Sequence, residues 1–318
     1  MTRRAFLFGI DTYDRFTHLT GCVNDAMSLA PLLAENEDES PNFTVISRTS
    51  DKSRITRSSV FGDLECLLAP GADVALLYFA GHGQLEQDDL HLVTQDGAPR
   101  DTGLAFSKAL KLIQESKVPE VLVILDCCFS GGAGGVPLLG SDVVVLRKGV
   151  SILTASRADQ VAEEAVGGQG TFSYYLAAAL NGGAADVLGK VTVAGLYSYL
   201  SESFGAFDQR PMFKAHLDRL HSVRQCKPVV PLPDLRRMTE FFPRSDYLFP
   251  LNPSFEPTLE PRDAINEATF GVLQKYRANK LLEPIGTDHM YYAAKESKPC
   301  CLTPLGRHYW HQIKQRRV

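Results

Sequence analysis

Over roughly the first 220 residues, short apolar runs alternate with longer stretches whose apolar positions recur every three or four residues. The runs AFLFGI (5–10), FTVIS (43–47), VALLYF (74–79), VLVIL (121–125) and VSILTA (150–155) predict strands. Several are apolar on both faces, as strands sheltered by helices on each side must be. Helical spacing predicts helices near 24–36, 57–69, 104–117, 171–180 and 192–204, with Thr171 and Thr192 as N-caps. This alternation implies an α/β fold with a mainly parallel sheet.

The pattern breaks at Lys227. Eight of the chain's 18 prolines fall in 227–261, too many for long regular elements, which predicts an extended linker or an arm wrapped on the domain surface. Helical spacing returns in 262–318, where Thr303 as N-cap and Pro304 at the first helical position form a start signal. The expected organisation is one catalytic-sized domain over 1–226, a proline-rich segment over 227–261, and a small helical domain over 262–318. A winged-helix-like arrangement is one option for that last domain.

Composition narrows the function classes. The chain is 44% hydrophobic and 22% charged, with a net charge of −4 and an isoelectric point near 6.1. That balance gives no overall attraction to nucleic acid or to anionic membranes. No stretch is long enough to span a bilayer, and the apolar run before Asp11 is too short for a signal peptide. The expected setting is a reducing cytoplasm in which the seven cysteines remain thiols.

In open α/β sheets functional groups collect beyond the carboxyl ends of the strands. Two such ends carry reactive side chains here: His82 in YFAGHGQ, and Cys127 and Cys128 in LDCCFSGG. A thiol leaving a buried strand into a glycine-rich turn, with a glycine-flanked imidazole at a neighbouring strand end, can form a nucleophile and its acid–base partner. Side chains alternate along an extended segment. Asp126 and Cys128 therefore share one side, while Cys127 points to the other as a small buried hydrophobe.

The 46 residues from His82 to Cys128 approach the spacing of the same pair in caspases. YFAGHG, DCCFSGG, LTGCVNDA (19–26) and TASRADQVAEE followed by GTFSYYL occur in an order that resembles the caspase–metacaspase superfamily, and its metacaspase-type bacterial members most. The likeness covers roughly residues 3–215. It implies a caspase-like three-layer sandwich, Cys128 as nucleophile, His82 as general acid–base, and the backbone N–H groups of Gly83 and Cys128 as the oxyanion hole. It also implies an acidic S1 pocket built from Asp126, Asp25 and Cys22, with Asp159 as a further lining candidate. Paired carboxylates in a narrow pocket favour a basic P1 residue and reject an acidic one.

The sequence departs from the family in two places. Ala80 stands where the family's His box has a serine that helps line S1. Several metacaspases need calcium, yet GGAGGVPLLG after the nucleophile has no carboxylate, and Asp88, Asp89, Asp96 and Asp101 are scattered. No cofactor is expected, and calcium independence is favoured. Arg147-Lys148 is a candidate autocleavage pair, with the start of the next strand as the simpler reading.

Two rival readings are weaker. A nucleotide-binding domain lacks both Gly-x-Gly-x-x-Gly after the first strand and Gly-Lys-Ser/Thr. A catalytically silent scaffold would not need both reactive residues. In the C-terminal domain, Cys300, Cys301, His308 and His311 fit no standard zinc spacing, and only the last helical turn is basic enough for nucleic acid. The expectation is a cysteine endopeptidase acting on proteins or peptides after Arg or Lys, with a regulatory partner recruited through the C-terminal domain. The resemblance points to a bacterial stress or phage-defence role.

Overall fold

The computed structural model describes residues 1–86, 89–127, 129–130, 145–155, 164–165, 168–204, 211–217 and 221–318. They divide into two units, Met1–Ala185 with Lys190–Cys226, and Asp186–Gly189 with Lys227–Val318. Each has its own apolar interior.

In the first unit the strands run β1 (Arg3–Gly9), β2 (Thr44–Thr49), β3 (Val74–Ala80), β4 (Gly83–Glu86), β5 (Asp89–Ala98) and β6 (Asp101–Ala105). They continue with β7 (Glu120–Asp126), β8 (Phe129–Ser130), β9 (Val150–Thr154), β10 (Glu164–Ala165), β11 (Gln169–Gly170), β12 (Lys190–Thr192), β13 (Met212–His216) and β14 (Ser222–Gln225). The helices are α1 (Cys22–Ala34), α2 (Arg57–Leu67), α3 (Phe106–Glu115), α4 (Thr171–Ala178) and α5 (Val193–Ser203). The central sheet has the order β13-β9-β7-β3-β1-β2. Its members pair in parallel, except β13, which is antiparallel to β9.

Alternate residues of each buried strand enter opposite layers. Phe6, Phe8, Leu77, Phe79, Val123 and Leu125 pack towards Val60 and Leu64 of α2 and Ala109 and Ile113 of α3. Ala5, Leu7, Leu76, Tyr78, Leu122 and Ile124 pack towards Leu29 of α1, Leu176 of α4 and Leu196 of α5. All five predicted strands and five predicted helices of this unit form, within a few residues of their expected bounds. Thr192 caps α5 as expected, accepting from the Gly195 N–H at 3.0 Å. At α4 the N-cap is Gly170 and Thr171 is the first helical residue. A second sheet, β6-β5-β4-β8, and the edge strand β13 were not predicted.

β1 pairs with β2 on one side and β3 on the other, so the chain reverses its direction of travel across the sheet between β1 and β3. The carboxyl ends beside that reversal are where open α/β sheets hold ligands.

The second unit differs from expectation. The proline-rich segment is neither linker nor arm: Val230, Leu235, Met238, Phe242, Leu251 and Phe255 are buried with Phe270, Leu273, Tyr276, Met290 and Ile313. Its prolines start and stop short elements, α6 (Leu232–Arg236), α7 (Met238–Phe241) and β15 (Phe249–Pro250), and between these the apolar residues still turn inward. The later elements are α8 (Ala264–Ala278), β16 (Leu282–Pro284), α9 (Met290–Lys295), β17 (Pro299–Leu302) and α10 (Pro304–Lys314). An antiparallel sheet ordered β15-β17-β16 accompanies the helices. Thr303 does cap α10, accepting from the Gly306 N–H at 3.1 Å. The Trp310 indole N–H donates to the Phe242 carbonyl at 2.7 Å, tying α10 to the proline-rich segment.

Candidate active site

His82 lies in the two-residue connection between β3 and β4. Gly81 is required there, because a Cβ would stand 2.7 Å from the Tyr13 hydroxyl. That hydroxyl accepts the His82 backbone N–H at 2.9 Å and donates to the Ile10 carbonyl at 3.0 Å. The Tyr13 and His82 ring centroids are 4.9 Å apart. The His82 Nε2–H donates to the Thr17 carbonyl at 2.8 Å. A carbonyl only accepts, so this contact places the proton of the neutral ring on Nε2 and leaves Nδ1 with its lone pair. Nδ1 is then the nitrogen able to take a proton.

Cys128 lies outside the described residues, as does Asp159. The residues around Cys128 are nevertheless tied to the His82 connection. Ala80 pairs with Asp126 where β3 meets β7, and Gly83 pairs with Phe129 where β4 meets β8. Both pairings have an offset of 46 residues (126 − 80 and 129 − 83), the same as the separation of Cys128 from His82 (128 − 82). The register is continuous on both sides of the pair. Gly83, the other oxyanion-hole candidate, opens β4 and is buried.

Cys127 is 3% exposed and belongs to the apolar layer beside α2 and α3. Asp126 faces the other layer. Its Oδ2 accepts from the Ser173 hydroxyl at 2.5 Å, and Ser173 Oγ is 2.6 Å from the Tyr78 hydroxyl. A serine hydroxyl has one proton; with that proton given to the carboxylate, Tyr78 is the donor to Ser173.

Asp25 comes from the first turn of α1. Asp11 starts that helix, accepting the Cys22 N–H at 2.9 Å and the Val23 N–H at 3.3 Å. Gly21 precedes it at φ +104°, a left-handed conformation suited to glycine. Asp25 Oδ1 accepts the Gly170 N–H at 3.0 Å. A Cβ on Gly170 would lie 3.1 Å from Asp25 Oδ2 and 3.5 Å from Asp126 Oδ2, so both carboxyl groups border one small space that this glycine keeps open.

Burial, and then the Asp126 charge, push Asp25 up to about 8. Burial pushes Asp126 up to about 6, against the favourable hydroxyls of Ser173 and Tyr78. Burial first, then Asp126, Asp11 and Asp25, drive the Cys22 thiol far above its ordinary range, so it lines the space as a neutral group. Two acids that resist ionising together would both be relieved by a cation entering that space, which offsets the desolvation and the repulsion.

Arg147 is fastened to the end of α3, donating to the carbonyls of Val118 at 2.7 Å and Ile113 at 2.9 Å. Lys148, next to it, is exposed. Among the described residues no three His, Cys, Asp or Glu side chains gather as a metal site. Asp88 lies outside the described residues. Asp89 accepts from Ser107 at 2.6 Å, Asp96 from Thr94 at 2.6 Å, and Asp101 pairs with Arg57. Cys300 is buried while its neighbour Cys301 is half-exposed, and His308 and His311 are exposed. No described helix is long and apolar enough to cross a membrane.

Residue-level sequence reasoning missed Tyr13, Thr17, Asp11, Tyr78 and Ser173. Thr17 acts through its carbonyl, which no side-chain pattern advertises. Ser173 does fall inside the GTFSYYL box, where a buried hydroxyl at a helix start was the available signal.

Comparison with known proteins bears on the family and the fold. The caspase-domain model of the C14 peptidases matches residues 2–221. Metacaspase-1 of Schizosaccharomyces pombe is 25% identical over 161 residues, a stretch covering 46% of this chain and 38% of the relative. The paracaspase of Dictyostelium discoideum is 27% identical over 130 residues, covering 41% of this chain and 32% of the relative. The matched stretch thus spans less than two-fifths of either relative. Among solved structures, a Geobacter sulfurreducens protein aligns with a TM-score of 0.54 at 18% identity over 72% of this chain and 98% of its own. Caspase-1 of Spodoptera frugiperda aligns with a TM-score of 0.52 at 15% identity over 70% of this chain and 90% of its own. At those identities the two structures establish the fold. The family match, which spans more than half of the chain, shows that the chain belongs to the caspase-domain family of cysteine peptidases.

Proposed function

We propose that the protein is a cysteine endopeptidase that cleaves after Arg or Lys, with Cys128 as nucleophile and His82 as general acid–base. The observation that carries this reading is the continuous 46-residue register on both sides of the His82–Cys128 pair. With Nε2–H anchored on the Thr17 carbonyl, Nδ1 takes the thiol proton, and the thiolate attacks the scissile carbonyl. The backbone N–H groups of Gly83 and Cys128 stabilise the oxyanion. The imidazolium then gives its proton to the leaving amine, and water attacks the thioester with His82 as base.

Asp25 and Asp126 form the floor of S1, with Cys22 on the wall and Asp159 as a further lining group. A guanidinium binds two carboxylates through a planar fork of donors, so Arg is favoured over Lys. No metal enters this mechanism. Autocleavage at Arg147-Lys148 requires Arg147 first to leave its carbonyl contacts with Ile113 on α3 and Val118 just beyond it. The second unit, with its independent core, acts as a module for a regulatory protein partner.

Treatment with a chloromethyl ketone bearing Arg at P1, followed by peptide mapping, tests the assignment. The expected adduct is on Cys128 and disappears in His82→Ala. An adduct confined to Cys22 or Cys127 contradicts it.

A further inference from the structure

The register of β3 against β7 places Ala80 directly opposite Asp126. Ala80 is 1% exposed, and its methyl group offers the carboxylate nothing. The hydroxyl that Asp126 does receive comes from another element, the Ser173 side chain on the first turn of α4. Ser173 is fully buried, and so is Tyr78, which supports it from β3. A buried serine with one proton and two donor–acceptor contacts has a single consistent direction: Tyr78 O–H to Ser173 Oγ, and Ser173 O–H to Asp126 Oδ2.

We propose that Ser173, backed by Tyr78, is the positioning residue that sets basic P1 specificity, by orienting the Asp126 carboxylate from α4 in the absence of a hydroxyl at position 80. The inference rests on the proposed S1 role of Asp126 and adds the group that makes that role possible in this chain.

The physical case is one of opposing terms. Burial disfavours an ionised Asp126. Once ionised, Asp126 in turn raises its neighbours on α1, Asp25 and the Cys22 thiol. Among the described groups, the hydroxyls of Ser173 and Tyr78 are what favour the charged form in the empty pocket. They also fix which oxygen is occupied. Oδ2, the oxygen that Ser173 engages, is also the one that borders the space Gly170 keeps open, so the hydroxyl holds the carboxylate edge that a P1 cation would meet. Without Ser173 the carboxyl would hold its proton to higher pH and rotate about χ2, and a cation would meet a neutral, misoriented acid.

The test compares Ser173→Ala, Ser173→Thr and Tyr78→Phe in the full chain, using one fluorogenic peptide with Arg at P1 across pH. In Ser173→Ala, KM is expected to rise on the order of tenfold with kcat nearly unchanged, the signature of lost ground-state binding. The acidic limb of kcat/KM is expected to move up by about one pH unit. Tyr78→Phe should shift the limb the same way by less, and Ser173→Thr, which keeps a hydroxyl, should restore it. An unchanged limb and KM in Ser173→Ala, or a fall in kcat alone, overturns the proposal. If Ser173→Ala does not fold, Tyr78→Phe is read against the same limits. If the wild-type protein cleaves no basic peptide, the proposed function fails. The hydrogen bond is then judged separately by the Asp126 carboxyl-carbon titration in labelled protein. An upward shift of the midpoint in Ser173→Ala supports the orienting role, and an unchanged midpoint overturns it.

Discussion

The two faces of β7 end differently. On the face towards α2 and α3, the apolar alternation of Val123 and Leu125 continues into Cys127, which is as buried as its neighbours. On the face towards α1 and α4, Leu122 and Ile124 give way to Asp126, which meets Asp25, Cys22, Tyr78 and Ser173. One face ends in packing that stabilises the fold. The other gathers acids whose burial works against it. A strand needs only the two-residue period of its side chains to carry both, and substitutions at adjacent positions should therefore have opposite consequences.

The sharpest way to break that contrast is at Asp126. Asp126→Asn should lower kcat/KM for Arg and Lys peptides on the order of a hundredfold or more, since a buried cation loses its charged partner. The melting temperature should not fall. A similar loss for Arg and for uncharged P1 residues would show that Asp126 supports the fold and not the pocket.

Next in size is the pH dependence of stability. Asp25 and Asp126 sit at about 8 and about 6 in the folded protein, above the ordinary carboxyl value of 3.8. Between those limits the folded state holds protons that the unfolded state has released. Their contribution is full below pH 4 and is lost as pH rises through about 6 and then about 8. Urea midpoints should therefore fall from pH 5 to pH 8.5, and the Asp25→Asn, Asp126→Asn double variant should lose much of that slope. A slope unchanged in the double variant places its origin elsewhere.

The smallest effect belongs to the other face. Cys127→Ala should cost about 1 kcal/mol of stability by urea melt, as expected for removing one buried heavy atom, and leave peptide cleavage near wild type. Strong loss of activity there would mean that the two thiols have been assigned to the wrong sides.

Much of this contrast was legible in the sequence. Five apolar runs were enough to place five of the six strands of the central sheet, and the period of two was enough to separate Asp126 from Cys127. What stayed hidden depends on tertiary encounters. Thr17 holds His82 through a backbone carbonyl, and Tyr13 does so through a hydroxyl 69 residues away in the chain. Ser173 reaches Asp126 across 47 residues. The sheet β6-β5-β4-β8 was missed because β4, β6 and β8 are short and the ten-residue β5 breaks its apolar positions with His91, Thr94, Gln95 and Asp96. Residues 227–261 were misread for the opposite reason: prolines broke the periodicity, yet Leu235, Phe242 and Leu251 between them are buried core.

The central claim is that an acid-floored thiol site selects a basic P1 side chain. The most direct test offers the wild-type protein and Cys128→Ala three fluorogenic peptides identical except for Arg, Lys or Asp at P1. Cleavage after Arg and Lys, none after Asp, and silence from Cys128→Ala is the predicted result. Comparable cleavage after Asp, or activity that survives Cys128→Ala, would contradict it.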